Sequence, residues 1–236
     1  MFYIRIAKLC VQINNRYQYV RLLCDDYIVD PPEGEPDLSV CVTEEEMQTE
    51  LRETGGTARI DYVEGVCMYR NLCKLLPSVC DAYLLHCAVI EYKGEGYAFA
   101  AKSGTGKSTH IALWQKRFGD EVHIVNGDKP ILRFEGDRLY AYGTPWCGKE
   151  GLQTNTSVPL KAICFLERAE SNRIQRISAG DAVMRIFHQI LTPKDVQEVD
   201  TLLPLLDRTL KMIPCYLLGC NISEEAAEVA YHGMQK

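Results

Sequence analysis

Ala82-Tyr83-Leu84-Leu85-His86-Cys87-Ala88-Val89-Ile90-Glu91-Tyr92, then Lys93-Gly94-Glu95-Gly96, Tyr97-Ala98-Phe99-Ala100-Ala101, and finally Lys102-Ser103-Gly104-Thr105-Gly106-Lys107-Ser108-Thr109: the fold is decided in this run. The first stretch reads as a strand, the second as a tight turn and the third as a returning strand. After the glycine-containing loop, Ile111, Trp114 and Phe118 recur at helical spacing and Gly119 supplies a stop. Strand, loop, helix is the order that an anion-binding loop needs. Gly104 and Gly106 allow turns that a Cβ would forbid, so successive backbone N–H groups can aim at one anion while the helix N-terminus adds positive charge. In such a cradle, built from Ser103, Gly104, Thr105, Gly106, Lys107, Ser108 and Thr109, Lys107 reaches the β- and γ-phosphates of a nucleotide. The Ser108 hydroxyl then ligates Mg²⁺. The pattern G-x-x-x-x-G-K-[ST] is met except at its first position, where Ala101 stands.

Downstream, Val122-His123-Ile124-Val125 reads as a strand ending in Asn126-Gly127-Asp128. This makes Asp128 the expected carboxylate of a magnesium site completed by Ser108. Asp128 is equally a residue type found in turns beside glycine and proline, and Lys129 reads as solvated. Leu132–Phe134 and Leu139–Tyr140 suggest a hairpin. The turn-rich segment from Tyr142 to Gly151 follows, offering Trp146 to stack on a substrate and Lys149 to neutralise phosphate. Such a segment with one buried aromatic anchor is also an ordinary structural feature. Asn155 is a further polar candidate. Leu160–Leu166 reads as a buried strand, Ser178 with Asp181 opens a helix, and Thr192-Pro193 starts another that Pro204 should bend or interrupt. Pro214–Gly219 reads as a strand, and Asn221 with Glu224 should cap a last helix.

Before the central run, Tyr3–Ile13 and Tyr17–Leu23 suggest a hairpin around Asn14-Asn15-Arg16. The prolines between Asp30 and Asp37 mark a surface loop. Thr43-Glu44-Glu45-Glu46 has capping-box spacing, and Gly55-Gly56 ends the helix it opens. The boundary between this part and the rest is expected between Gly55 and Asp81, giving a small N-terminal α+β lobe (1–65) and an α/β nucleotide-binding domain (66–236). With 236 residues, 47% of them apolar, the chain can bury one substantial core and a small lobe. No stretch approaches the roughly 20 apolar residues of a membrane span, and the N-terminus lacks the order of a signal peptide. The expectation is a cytoplasmic protein with no membrane partner. Eleven cysteines without a C-x-x-C pair suit buried thiols in a reducing compartment, with neither disulfides nor zinc expected. A net charge of −6 with no cluster of Lys and Arg argues against a nucleic-acid partner.

His86 on the strand before the loop, the run Ser103–Ser108 and the strand ending in Asp128 together resemble the HPr kinase/phosphorylase superfamily, whose fold phosphoenolpyruvate carboxykinase shares. The resemblance covers about Ala82 to Glu167, with a weaker echo toward the C-terminus. In that family a histidine precedes the loop serine by the interval that separates His86 from Ser108. The resemblance implies an HPr kinase-like P-loop domain, a kinase using ATP and Mg²⁺, and Lys107, Asp128 and His86 as catalytic residues. The acceptor would be a serine-type hydroxyl of a peptide, protein or small metabolite, and a homo-oligomer follows by analogy alone. The family has two adjacent acids where this chain has Asp128 between Gly127 and Lys129. A second class of reading therefore stands beside the first: an ATP-binding adaptor or maturation protein without phosphoryl transfer, with a simple ATPase between the two. No N-K-x-D sequence for reading guanine occurs.

Overall fold

The computed structural model describes residues 1–191, 193 and 195–235. Phe2–Ile6 (β1) and Leu9–Asn14 (β2) pair antiparallel, with Phe2 opposite Ile13 and Ile6 opposite Leu9. Ala7 and Lys8 make the turn with φ of 48° and 63°, the left-handed pair that a two-residue hairpin demands. The expected hairpin around Asn14-Asn15-Arg16 is thus displaced by one element, and Gln18–Leu23 is a helix (α1) instead of a strand. Glu64, fully buried, accepts hydrogen bonds from the Arg16 and Tyr17 amides where the chain enters α1. No local pattern announces that distant cap.

Ile28–Val29 (β3) and Leu38–Cys41 (β4) complete a four-stranded sheet of order β3-β1-β2-β4. The proline-rich loop lies between them. Helix α2 (Glu44–Glu53) starts with the expected capping box: Thr43 Oγ1 accepts from the Glu46 amide at 3.2 Å and the Glu46 carboxylate accepts from the Thr43 amide at 2.7 Å. Helix α3 then runs from Ile60 to Cys80 without a break, straight through residues 65 and 66. Its buried Val63, Met68, Leu72 and Leu76 join the sheet's Ile4, Val11 and Ile13 in one core, which also takes in Ala82, Leu84, Ile131 and Trp146.

The second sheet has nine strands. They are Ala82–Leu84 (β5), Cys87–Tyr92 (β6), Glu95–Ala100 (β7), Val122–Asn126 (β8), Ile131–Glu135 (β9), Arg138–Tyr142 (β10), Ser157–Arg168 (β11), Arg173–Arg176 (β12) and Cys215–Cys220 (β13). The order is β5-β9-β10-β11-β7-β6-β8, with β13 on β11 and β12 on β13. The single strand expected over 82–92 is broken at Leu85-His86, so that β5 pairs with β9 and β6 with β7. The twelve-residue β11 pairs first with β10, antiparallel, and then with β13, parallel, while β7 lies parallel along its other side.

Lys107–Phe118 (α4) and Glu225–Met234 (α7) cover one face around Trp114, Tyr92, Tyr97, Phe99 and Tyr231. Ala179–Phe187 (α5) and Val196–Met212 (α6) cover the other through Ala182, Ile186, Leu202 and Leu206. Mixed α/β architecture is what the sequence led us to expect. Helix α6 passes through Pro204 without interruption, its apolar face offsetting the backbone hydrogen bond that proline gives up. The start expected at Thr192-Pro193 rests on Thr192, outside the described residues; the helix has Asp195 as its cap. Asn221 does not cap α7. Its side chain donates to the Glu170 carbonyl, and Glu224 stands at the N-cap without a side-chain bond. No described helix is long and apolar enough to cross a membrane.

Candidate functional site

Strand β7 ends at Ala100 and α4 begins at Lys107; the loop between them carries the predicted cradle. Gly104 has φ 78° and Gly106 φ 123°. A Cβ on Gly104 would meet nothing within 4 Å, so backbone conformation, not crowding, calls for glycine there. The Thr105 amide closes a turn onto the Lys102 carbonyl at 3.1 Å. Arg168, at the end of β11, donates to the carbonyls of Gly104 at 2.6 Å and Thr105 at 3.3 Å. These bonds hold two loop carbonyls on the Arg168 side. Sequence reasoning missed Arg168, which lies far along the chain from the loop it holds.

The break between β5 and β6 turns His86 into the site. Its amide donates to the Gln189 carbonyl at 2.6 Å, and the Gln189 side-chain amide, with its nitrogen facing them, reaches the carbonyls of His86 (3.0 Å) and Ala101 (3.3 Å). His86 Nε2 lies 2.9 Å from Asp128 Oδ1 and 3.1 Å from Lys107 Nζ. Lys107 Nζ also lies 3.4 Å from the Ala101 carbonyl. Lys107, His86 and Asp128, predicted separately, therefore meet. One ring nitrogen cannot serve both neighbours: protonated, Nε2 donates to Asp128 and leaves Lys107 without it; bare, it accepts from Lys107 and faces the carboxylate with a lone pair. Burial pulls the Lys107 pKa below its usual value, with the Asp128 carboxylate opposing.

Asp128 is fixed by Asn126, which is fully buried. The Asn126 side-chain oxygen accepts from the amides of Asp128 (2.9 Å) and Lys129 (2.7 Å), and its nitrogen donates to the Thr144 carbonyl at 2.9 Å. Lys129 is not merely solvated: its ammonium pairs with Asp128 Oδ2 and sits 5.5 Å from the Tyr69 ring centre. Burial pushes the Asp128 carboxyl up, but the hydrogen bonds and charges of His86 and Lys129 outweigh it and hold the group well below its ordinary value of 3.8. The resulting stabilisation is fully present above that value and is lost as pH falls toward the lower folded value. Asp128→Asn should therefore flatten the acid limb of the stability curve below about pH 4, by up to about 1.4 kcal/mol per pH unit. Urea unfolding across a pH series measures this, and parallel limbs for the two proteins would refute the pairing.

Ser108 Oγ donates to Glu150 Oε1 at 3.1 Å, a contact the sequence did not suggest. Glu150 lies between Gly148 (φ 81°) and Gly151 (φ 66°). A Cβ on Gly148 would come within 3.2 Å of Asp128 Cβ, so glycine lets this segment rest on the acid. Lys149 is exposed on the cleft wall. Trp146 is 8% exposed, donates Nε1–H to the Gly65 carbonyl at 3.2 Å and packs 5.9 Å from the Tyr69 ring. That packing is an anchor's, one of the two roles that the sequence had left open. Asn155 donates to the Asp26 carbonyl, tying the chain to the N-terminal part.

Two clefts flank the loop. The smaller, about 550 Å³, is bounded by Lys102–Thr105, Arg168 and Arg185. The larger, about 1060 Å³, reaches from Lys107, Ser108 and Asp128 outward to Tyr19 and Tyr62 on α1 and α3. Among the described residues no three His, Cys, Asp or Glu side chains gather as a metal site.

The fold and site together define a mixed α/β protein whose polar chemistry converges on one loop–helix junction between two clefts. The chain belongs to the ScmC family: the family model described as SynChlorMet cassette protein ScmC matches residues 66–230. Among solved structures, the chain is similar to the Hpr(Ser) kinase/phosphatase from Coxiella burnetii, at 12% identity and a TM-score of 0.37, over 65% of this chain and 99% of that one. That likeness is a distant structural relationship only. No curated protein matches.

Proposed function

We propose that this protein is an ATP-dependent kinase that transfers the γ-phosphoryl group to a serine-type hydroxyl of a peptide, protein or small metabolite. The observation that carries the reading is the meeting of Lys107, His86 and Asp128 over a loop with left-handed glycines. In this reading the loop amides and the N-terminus of α4 hold the phosphates. Lys107 leaves His86 for the phosphoryl oxygens and there offsets charge that develops in transfer. Ser108 and Asp128 would hold Mg²⁺, which would offset the charge of the phosphates; one or two protein oxygens are an ordinary protein share for this ion, so the sparse donor set fits it. Glu150 must release the Ser108 hydroxyl for that.

The Asp128 carboxylate is too weak a base to take a hydroxyl proton readily, which suits it to metal binding and to orienting His86. The P–O bond to the β-phosphate oxygen breaks as the bond to the acceptor oxygen forms, and the acceptor proton passes to His86 or to water. ADP and a phosphomonoester leave. Lys129 in salt bridge with Asp128 favours the second reading, in which the protein binds ATP as an adaptor without transfer.

³¹P NMR of MgATP with the wild-type protein and Asp128→Asn, first with free serine and then with serine-containing peptides, separates the two. A new phosphomonoester resonance lost in the variant is the expected result. Bound ATP that gives neither phosphomonoester nor inorganic phosphate would leave only the adaptor, and inorganic phosphate alone an ATPase.

A further inference from the structure

The larger cleft encloses more space than a transfer reaction to a small hydroxyl compound needs. Its volume of about 1060 Å³ stands at the top of the range of about 300–1,000 Å³ for pockets that enclose one small ligand, and the smaller cleft across the loop is itself of ligand size. Lys107, Ser108 and Asp128 line one part of the larger cleft. Its wall also carries Tyr69, whose ring centre lies 5.5 Å from the Lys129 ammonium paired with Asp128, and Tyr62, about 10 Å back along α3 from Tyr69, together with Tyr19, Leu23 and the Glu50–Arg70 ion pair. Tyr19 and Tyr62 have ring centres 6.1 Å apart, and Tyr62 is 52% exposed. Two such rings offer broad apolar faces at low conformational cost. Free serine held at Asp128 is too short to reach Tyr62, about two helical turns along α3 from Tyr69.

Resting on the kinase reading, we propose that the part of this cleft beside Tyr62 is a peptide subsite: the acceptor is a peptide segment whose hydroxyl residue lies at Asp128 and His86 and whose nearby apolar or aromatic residue packs on Tyr19 and Tyr62. The half-exposed Arg70, next to Tyr69 on α3 and paired with buried Glu50, also lines the cleft, where its N–H groups can meet peptide carbonyls. Small metabolites are then poor substrates.

The probe is a set of blocked pentapeptides, acetyl-Gly-Gly-Ser-Gly-Gly-amide and relatives with one glycine replaced by Leu, Phe, Lys or Glu, assayed for phosphoserine by mass spectrometry. Nucleotide binding is followed separately with a fluorescent N-methylanthraniloyl ATP. A Leu or Phe peptide should exceed the glycine parent by about tenfold or more in kcat/KM, the size of an apolar-pocket contact. Tyr62→Ala should remove most of that preference through KM, with kcat and nucleotide affinity unchanged, and Tyr62→Phe should retain it. Equal labelling of all peptides, labelling of free serine alone, or a preference that survives Tyr62→Ala overturns the subsite and leaves the kinase reading standing. Failure to bind the nucleotide, or to label any acceptor, removes the kinase reading and the subsite with it.

Discussion

Lys107→Ala should lower kcat/KM for MgATP on the order of 10²–10³-fold, the loss usual for one preorganised charge donor in a water-poor site, without lowering the stability of the fold. The two halves of that expectation have one cause. Lys107 is half-desolvated, its pKa is pulled down by burial, and it competes with Asp128 for His86 Nε2. A cation so placed is not there for the folded chain's benefit, and removing it frees Nε2 to donate to Asp128 alone. Residues whose removal costs activity while sparing stability mark a site held in readiness for a ligand. Steady-state turnover of MgATP and thermal unfolding of the same samples supply both readouts. Unchanged kcat/KM, or a large fall in stability, would show that Lys107 is structural and end the proposal for this loop.

Trp146→Ala should do the opposite, costing about 3–5 kcal/mol of stability as large aromatic truncations in a core do. The indole fills the junction between α3 and the segment after β10, and its Nε1–H is spent on the Gly65 carbonyl. Trp146→Phe keeps most of the packing and loses that hydrogen bond, about 1 kcal/mol. Urea unfolding of both variants distinguishes an anchor from a ligand-stacking ring. If Trp146→Ala unfolds like the wild type and loses only ligand affinity, the anchoring role is wrong.

The loop and its helix were legible because their requirements are local: glycines where φ is positive, then lysine, serine and a helical repeat. Asp128 was legible for the same reason, standing at the end of a strand, whereas His86, inside an apolar run, became a candidate only through its spacing to Ser108 in the family it resembles. What the sequence hid was made by distant contacts. The first hairpin turns on Ala7 and Lys8, residues without the usual turn chemistry, while Asn14-Asn15 resembles a turn and instead leads into a helix capped by Glu64. The break at Leu85-His86 is invisible in an apolar run, since it arises because β5 and β6 find different partners. Arg168 and Glu150 reach the loop from far along the chain. No spacing rule connects them to it. The two clefts belong to surfaces brought together only by the tertiary fold.

The unbroken course of α3 through residues 65 and 66 has a consequence for movement. Proteins that close over substrates commonly do so about a hinge, a few residues outside regular structure that absorb a change in φ and ψ. Here the connection between the N-terminal sheet and the larger sheet is a helix whose inner face is sealed in a core common to both, and the indole of Trp146 bolts the opposite wall to that helix. That shared core opposes rigid-body closure of one sheet against the other. Under the kinase reading, the release of the loop serine falls instead to the turn from Gly148 to Gly151, which has a left-handed glycine at each end and Glu150 on that serine.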